Sequence, residues 1–98
     1  MRFNSISQYE IYYNSRIGVM NMRLRDLRED RDLTQQEIAS HLNIRQNTYS
    51  QYENGVRQIP IDCLIKIALY FDTSVDYVIG LTDTIAPYPR SARIKAQD

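Results

Sequence analysis

Two short helical patterns separated by a tight turn constrain the fold of this chain more than any other feature. Thr34 is followed three residues later by Glu37, which is the capping-box spacing that starts a helix. We expect this helix to end just before Asn43, because asparagine tolerates the left-handed conformation that closes a helix C-terminus. A second helix is predicted over 45–53, with Gly55 as the left-handed residue beyond its end. The sequence therefore predicts two short helices that flank a tight turn.

Three further helices are predicted around this pair, which makes the fold class all-α with five helices. Two leucines three residues apart within a charged run predict an amphipathic helix over about 21–31. Pro60 can open a fourth helix, because the first helical position needs no amide donor. Ser74 can cap a short fifth helix that Gly80 ends. The apolar stripe predicted for the fourth helix consists of Ile61, Leu64, Ile65, Ala68 and Phe71.

The regions on either side of these helices differ from them in composition. Residues 9–13 form a tyrosine-rich, β-favouring cluster, for which we expect either an arm against a partner subunit or a passive extension. Met20 and Met22 are alternative translation starts. The chain is therefore divided into an N-terminal extension (1–20), a helical domain (21–81) and a polar C-terminal tail (82–98).

The outward face of the third predicted helix carries almost no charge. Thr48, Tyr49 and Tyr52 are expected to face inward. Glutamine and asparagine can form two hydrogen bonds with adenine, and arginine can form two with guanine. Such a face is suited to recognising bases, and it consists of Arg45, Gln46, Asn47, Ser50 and Gln51.

Three segments, 33–39, 43–55 and 74–80, resemble the family of lambda-type phage repressors, Cro and XRE-type bacterial regulators. The resemblance covers about residues 23–80 and is specific, because several separated features agree in order and spacing. It implies a repressor domain whose third helix enters the major groove while the second crosses the DNA backbone. The implied function is sequence-specific binding of a double-stranded DNA operator by a homodimer.

The resemblance also implies roles for individual residues. Base-reading positions are occupied by Arg45, Gln46, Asn47 and Gln51, and backbone-anchoring positions by Gln35 and Asn54. Arg28 and Glu53 are placed as a partly buried ion pair between the first and third helices. Arg57 is assigned to a DNA phosphate from its charge and loop location alone, and a solvated loop charge is the alternative.

The chain departs from the family pattern at three positions. Arg45 stands where a serine or threonine usually caps the third helix, so that cap is in doubt although the cation can reach DNA. Asn43 replaces the usual turn glycine at a small conformational cost. Tyr49 replaces a common isoleucine or valine, and its hydroxyl needs a partner or solvent at the edge of the core.

Composition and motif content argue against several other classes of protein. The sequence has no apolar run long enough for a membrane span or a secretory signal, so a cytoplasmic protein is expected. His41 has no second histidine or cysteine nearby to form a metal site, and Cys63 has no adjacent base, so neither catalysis nor a cofactor is predicted. The 12 basic and 12 acidic residues balance, so DNA binding must depend on local arrangement.

Two alternatives to a dimeric repressor stay open. An antitoxin of the same fold would also bind a toxin, and a protein-interaction module would keep the fold without binding DNA. The neutral net charge is the best argument for the interaction module.

Overall fold

The computed structural model describes residues 22–93. Within that range the backbone forms helices and no strands, which confirms the all-α prediction. None of these helices has both the length and the apolar character that crossing a membrane requires. Predictions for residues 1–20, including the tyrosine-rich cluster, lie outside the described residues. The helices are α1 (Leu24–Asp30), α2 (Gln35–Leu42), α3 (Gln46–Glu53), α4 (Ile61–Tyr70) and α5 (Val75–Ile79).

The start of α2 and the turn that follows it are fixed by local hydrogen bonds. The backbone N–H of Glu37 donates to the Thr34 hydroxyl at 3.0 Å, and the Thr34 N–H donates to the Glu37 carboxylate at 2.8 Å. Asn43 closes α2 in the left-handed conformation with φ 60°. The predicted capping box and asparagine turn are both confirmed.

α1 is shorter than predicted, because the residue before it is bound to the far end of the domain. The backbone N–H of Arg23 donates to the carbonyl of Val78 at 2.8 Å. The Arg23 guanidinium lies over the Tyr77 ring, 4.1 Å from its centroid. These contacts attach the start of α1 to α5, so the helix begins at Leu24 rather than near residue 21.

A single core cluster lies between the helices, and it confirms three members of the stripe predicted for α4, namely Leu64, Ala68 and Phe71. Ile61 and Ile65 are exposed, whereas Cys63 and Ile67 are buried. α4 packs against both α2 and α5, which turns inward the side of the helix that carries Cys63 and Ile67. The charged residues Asp62 and Lys66 lie on the solvent side of α4, next to Ile61 and Ile65. The buried apolar residues are Leu24, Leu27, Ile38, Ala39, Leu42, Tyr49, Tyr52, Ile59, Cys63, Leu64, Ile67, Ala68, Phe71 and Val78.

α5 and the tail complete the other end of the domain. The Ser74 hydroxyl accepts from the N–H of Tyr77 at 3.0 Å, which confirms the predicted cap of α5. The tail has no regular secondary structure over residues 82–91, yet it packs back on the domain. The Tyr88 hydroxyl donates to Asp76 at 3.1 Å, and Arg90 donates to the carbonyl of Thr73 at 3.3 Å.

Candidate nucleic-acid interface

α3 turns its aromatic residues into the core and its polar residues outward. Tyr49 and Tyr52 are buried as predicted, whereas Thr48 is only half-buried. Arg45 precedes α3 in an extended conformation and makes no side-chain hydrogen bond to cap the helix. The doubt about that cap was therefore justified, and the guanidinium points to no partner within residues 22–93. The residues predicted to read bases are all exposed, namely Arg45, Gln46, Asn47 and Gln51.

A hydrogen bond joins the predicted base-reading residue Gln46 to the predicted phosphate-contacting residue Gln35. Gln46 Nε2 donates to Gln35 Oε1 at 2.7 Å. Gln35 Nε2 in turn donates to Glu53 Oε1 at 3.1 Å. Because the carboxylate of Glu53 can only accept, it orients the amide of Gln35, and that amide orients Gln46. The exposed side chain of Gln46 is thus connected to a buried anion.

Glu53 is the centre of this network. Its carboxylate is fully buried and accepts two hydrogen bonds from Arg28, at 2.8 Å from Nε and 2.9 Å from Nη2. Burial acts to raise the pKa of Glu53, but hydrogen bonds from Arg28, Tyr49, Gln35 and Arg25 outweigh it and lower the pKa to about 2. The Tyr49 hydroxyl, which was expected to need a partner or solvent, lies beside this carboxylate, and burial together with its interaction with Glu53 raises the pKa of that hydroxyl.

Arg25 belongs to the same network and was not identified from the sequence. Its Nε donates to Glu53 Oε1 at 3.2 Å, and its Nη2 donates to Asn54 Oδ1 at 3.0 Å. Arg25 therefore fixes the amide of Asn54, a residue assigned to the DNA backbone. One signal was available: Arg25 and Arg28 are three residues apart on α1, so they share a face and can share a partner.

The side chains of the other predicted site residues are not held in place by hydrogen bonds from neighbouring side chains within residues 22–93. Arg57 lies in the loop after α3, where its backbone N–H donates to the Gln51 carbonyl at 3.2 Å. The side chains of Arg45, Asn47, Gln51 and Arg57 make no hydrogen bond or ion pair with other residues in the range 22–93 and remain available to an external ligand.

The described residues offer no arrangement suited to metal binding or nucleophilic catalysis. No cluster of three histidine, cysteine or acidic side chains occurs among residues 22–93 that could hold a metal ion. His41 packs against Tyr70, with ring centroids 3.9 Å apart. Cys63 is buried with a free thiol, and burial raises the pKa of that thiol. Raising this pKa reduces the reactive thiolate fraction at neutral pH.

Comparisons with known proteins agree with this geometry. A helix-turn-helix family model matches residues 24–78. The uncharacterized HTH-type transcriptional regulator YobD of Bacillus subtilis is 37% identical over 73 residues, which are 74% of this chain and 65% of YobD. The cryptic phage CTXphi transcriptional repressor RstR of Vibrio cholerae is 29% identical over 66 residues, covering 67% of this chain and 60% of RstR. The chain therefore spans somewhat less than two thirds of either relative.

A solved structure is similar as well. The crystal structure of a transcriptional regulator from Listeria innocua superposes with a TM-score of 0.57 and 27% sequence identity, covering 76% of this chain and 67% of that one.

Proposed function

The chain belongs to the helix-turn-helix family and carries its DNA-binding domain, and from this premise we propose that it acts as a dimeric transcriptional repressor. The family consists of DNA-binding regulators rather than enzymes. In this proposal α3 enters the major groove of a double-stranded operator and α2 crosses the backbone. Such a role places the protein in the cytoplasm, where bacterial DNA is found.

The observation that carries the proposal is the uncharged, amide-rich face of α3, with one amide already oriented. Gln46 donates one N–H to Gln35, so its carbonyl oxygen and its second N–H remain available to a base. These two groups are what an adenine requires at its N6 and N7 positions. A side chain that is oriented before binding loses less conformational entropy when DNA arrives. Asn47 and Gln51 extend the same face, and Arg45 adds a group suited to guanine.

The residues assigned to phosphates retain unused donors. Gln35 is the first residue of α2, where free backbone amides and the helix dipole favour an anion. The Asn54 carbonyl oxygen accepts from Arg25, and the amide nitrogen donates one N–H to the Ser50 hydroxyl at 3.4 Å, so its second N–H is left for a phosphate. Arg57 supplies a positive charge in the loop after α3. Contacts of this kind position the protein on DNA without reading sequence.

Repression by a homodimer is the finer part of the proposal. A twofold dimer of such domains recognises two half-sites about 34 Å apart, so the operator should be approximately palindromic. RstR, which matches most of the helical domain, is named as a repressor. Binding of an operator within a promoter excludes other proteins from it, which is the simplest route to repression for a small domain.

Selection of bound fragments from random DNA tests the proposal. We expect enrichment of one motif with two related halves, followed by gel shifts whose affinity falls steeply as salt rises, because phosphate contacts release counterions. Failure to enrich any sequence, with the protein folded by circular dichroism, would replace the repressor with the protein-interaction module. The balanced count of 12 basic and 12 acidic residues is the observation that favours that second candidate.

An antitoxin role adds a toxin partner to the same DNA-binding domain, so DNA selection cannot separate it from a repressor. Co-expression with the product of a neighbouring gene, followed by co-purification and a growth assay, distinguishes the two. A stable complex that relieves growth inhibition supports the antitoxin.

A further inference from the structure

α4 has a row of aliphatic side chains on its solvent side. Ile61 is 66% exposed, and Ile65 and Leu69 are each 40% exposed. These residues follow one another at intervals of four, so they line up along one face of the helix. Monomeric proteins seldom leave contiguous apolar surface in water unless it binds something. We call this row, Ile61, Ile65 and Leu69, the α4 stripe.

Two opposite charges accompany the α4 stripe along one side. Asp62 follows Ile61 and Lys66 follows Ile65, so both charges lie on the same flank of the stripe, one turn apart. Both side chains are exposed, and neither forms an ion pair with another residue between 22 and 93. The flank therefore presents a negative charge toward the start of α4 and a positive charge toward its middle.

We propose that the α4 stripe binds the α4 stripe of a second copy of this chain, with the two helices antiparallel across a twofold axis at Ile65. In that register Ile65 meets its own copy and Ile61 meets Leu69, so each aliphatic side chain gains an aliphatic neighbour. The twofold operation keeps the charged flanks on the same side and sets Asp62 of each copy beside Lys66 of the other. The proposal rests on the dimeric function proposed above and assigns its surface.

The surface around the stripe extends the same contact. A cleft of about 290 Å³ opens beside Ile65 and Leu69 and is also lined by Val75 and Tyr88. Tyr88 is itself 60% exposed and comes from the tail that packs against α5. In the antiparallel register Ile61 of the second copy lies against Leu69, at the edge of this cleft. The cleft thus enlarges an apolar contact that three side chains alone would leave small.

Charge placement selects a second copy over other occupants. A surface that binds itself across a twofold axis must be its own complement, so that each group meets the partner of opposite kind. Asp62 and Lys66 meet this condition because they are on one flank and are separated by four residues. An unrelated protein or a segment of the same chain would require no such arrangement.

Charge reversal tests the proposal by sedimentation equilibrium on the full chain. The Asp62→Lys variant carries two positive charges on the flank, and the Lys66→Asp variant carries two negative charges. Like charges across an interface oppose association, so each variant alone should self-associate at least about 10-fold more weakly than the parent. An equimolar mixture of the two should regain association, because the positive flank then meets the negative one. Asp30→Lys, an exposed reversal on α1, is the matched control and should change nothing.

Several outcomes would overturn the proposal. One is a mixture that associates no better than either variant alone. Another is a parent chain that stays monomeric at every concentration. A third is stronger association through the α4 stripe after deletion of residues 1–21, because the stripe of the full chain would then be covered by that segment rather than by a second copy. DNA binding is measured separately on a single half-site. A parent chain that stays monomeric yet binds a half-site specifically contradicts the α4 dimer and leaves base reading by α3 intact. A dimer that depends on Asp62 and Lys66 but selects no DNA sequence contradicts the proposed function and leaves the α4 surface intact.

Discussion

α3 and α4 each turn one face to the solvent, and the two faces have opposite chemistry. The outward face of α3 consists of amides and a half-buried serine, with Arg45 just before the helix, whereas that of α4 carries exposed aliphatic residues beside two charges that form no ion pair within residues 22–93. The inward faces of the two helices also differ in chemistry. α3 buries two tyrosines and ends on the carboxylate of Glu53, whereas α4 buries aliphatic residues and a thiol.

The difference supports our proposals that a small domain with no net charge binds DNA through α3 and a second copy of itself through α4. Hydrogen-bonding groups on α3 can recognise bases only if they are held in place, and the buried carboxylate of Glu53 supplies that restraint through Gln35. Aliphatic groups on α4 need no orientation, because apolar burial is not directional. Composition averaged over the chain conceals both faces, since the amides carry no charge and Asp62 cancels Lys66.

The largest effect should come from removing the anion behind α3. Glu53→Ala leaves the largely buried guanidinium of Arg28 with only the exposed carboxylate of Glu29 as an acidic neighbour, and loss of a buried partner typically costs about 3–5 kcal/mol of unfolding free energy. Glu29→Ala is the matched control, because its carboxylate is 60% exposed and 3.9 Å from the same arginine. Chemical denaturation of both variants measures the difference. Equal loss of stability would show that Glu53 does not support α3.

Lowering the pH should reduce the stability that the network behind α3 provides, because Glu53 is part of it. The pKa of Glu53 is lowered from 4.5 to about 2 by its hydrogen bonds, so its ionisation stabilises the folded chain above about pH 5. That contribution, on the order of 3 kcal/mol, is lost as the pH falls toward 2. Glu53→Gln removes the ionisable group, so its stability should depend less on pH in this window. Parallel profiles for Glu53→Gln and the parent would contradict the assignment.

Loss of the oriented amide should act on DNA affinity rather than on stability. Gln46→Ala should weaken binding to the selected operator by about 1–3 kcal/mol, with little effect on random DNA. It should also relax the preference at one base pair in each half-site. Gln36→Ala is the control, since Gln36 is exposed on α2 and its amide only donates to Ser40. An operator affinity that is unchanged in Gln46→Ala would remove α3 as the reading helix.

The helix-turn-helix segment and α4 also differ in how accurately the sequence predicts their structure. The capping box of α2 and the turn at Asn43 depend on residues close together in the chain, so the pattern of residue types was sufficient. α4 contains a signal for its orientation, because Asp62 and Lys66 are four residues apart on one side and the opposite side is then expected to face the core. Ile61 and Ile65 lie next to these two charges. The predicted inward positions of Ile61 and Ile65 were wrong for this reason.

Contacts between residues far apart in the sequence were the other features that could not be predicted from it. Arg25 reaches Asn54 across 29 positions of sequence, and the bond depends on how α1 docks beside the end of α3. The contact of Arg90 with Thr73 likewise depends on the path of the tail. The spacing of Arg25 and Arg28 indicates that they can share a partner, but it does not identify Asn54 or Thr73 as a partner, because both contacts follow from the packing of distant segments.

The role of Arg25 yields a smaller effect on the α3 side. Arg25→Ala releases the amide of Asn54, so affinity for cognate and random DNA should fall alike, by about 1 kcal/mol. Arg25→Lys keeps the charge, but a lysine cannot reproduce the two-pronged guanidinium contact with Glu53 and Asn54. If Arg25 positions Asn54, lysine should not restore affinity. Full restoration by lysine would show that only the charge matters.

The smallest effect concerns the salt dependence of binding and separates charge from position among the phosphate ligands. Arg57→Ala should reduce the slope of log affinity against log salt by about one, because one fewer phosphate is neutralised. Gln35→Ala should weaken binding to every DNA and leave that slope unchanged, since the glutamine carries no charge. Gel-shift titration at four or more salt concentrations gives both slopes. If Arg57→Ala leaves the slope unchanged, the side chain is a solvated loop charge, and Arg45, whose side chain has no partner within residues 22–93, is the next cation to test in the same way.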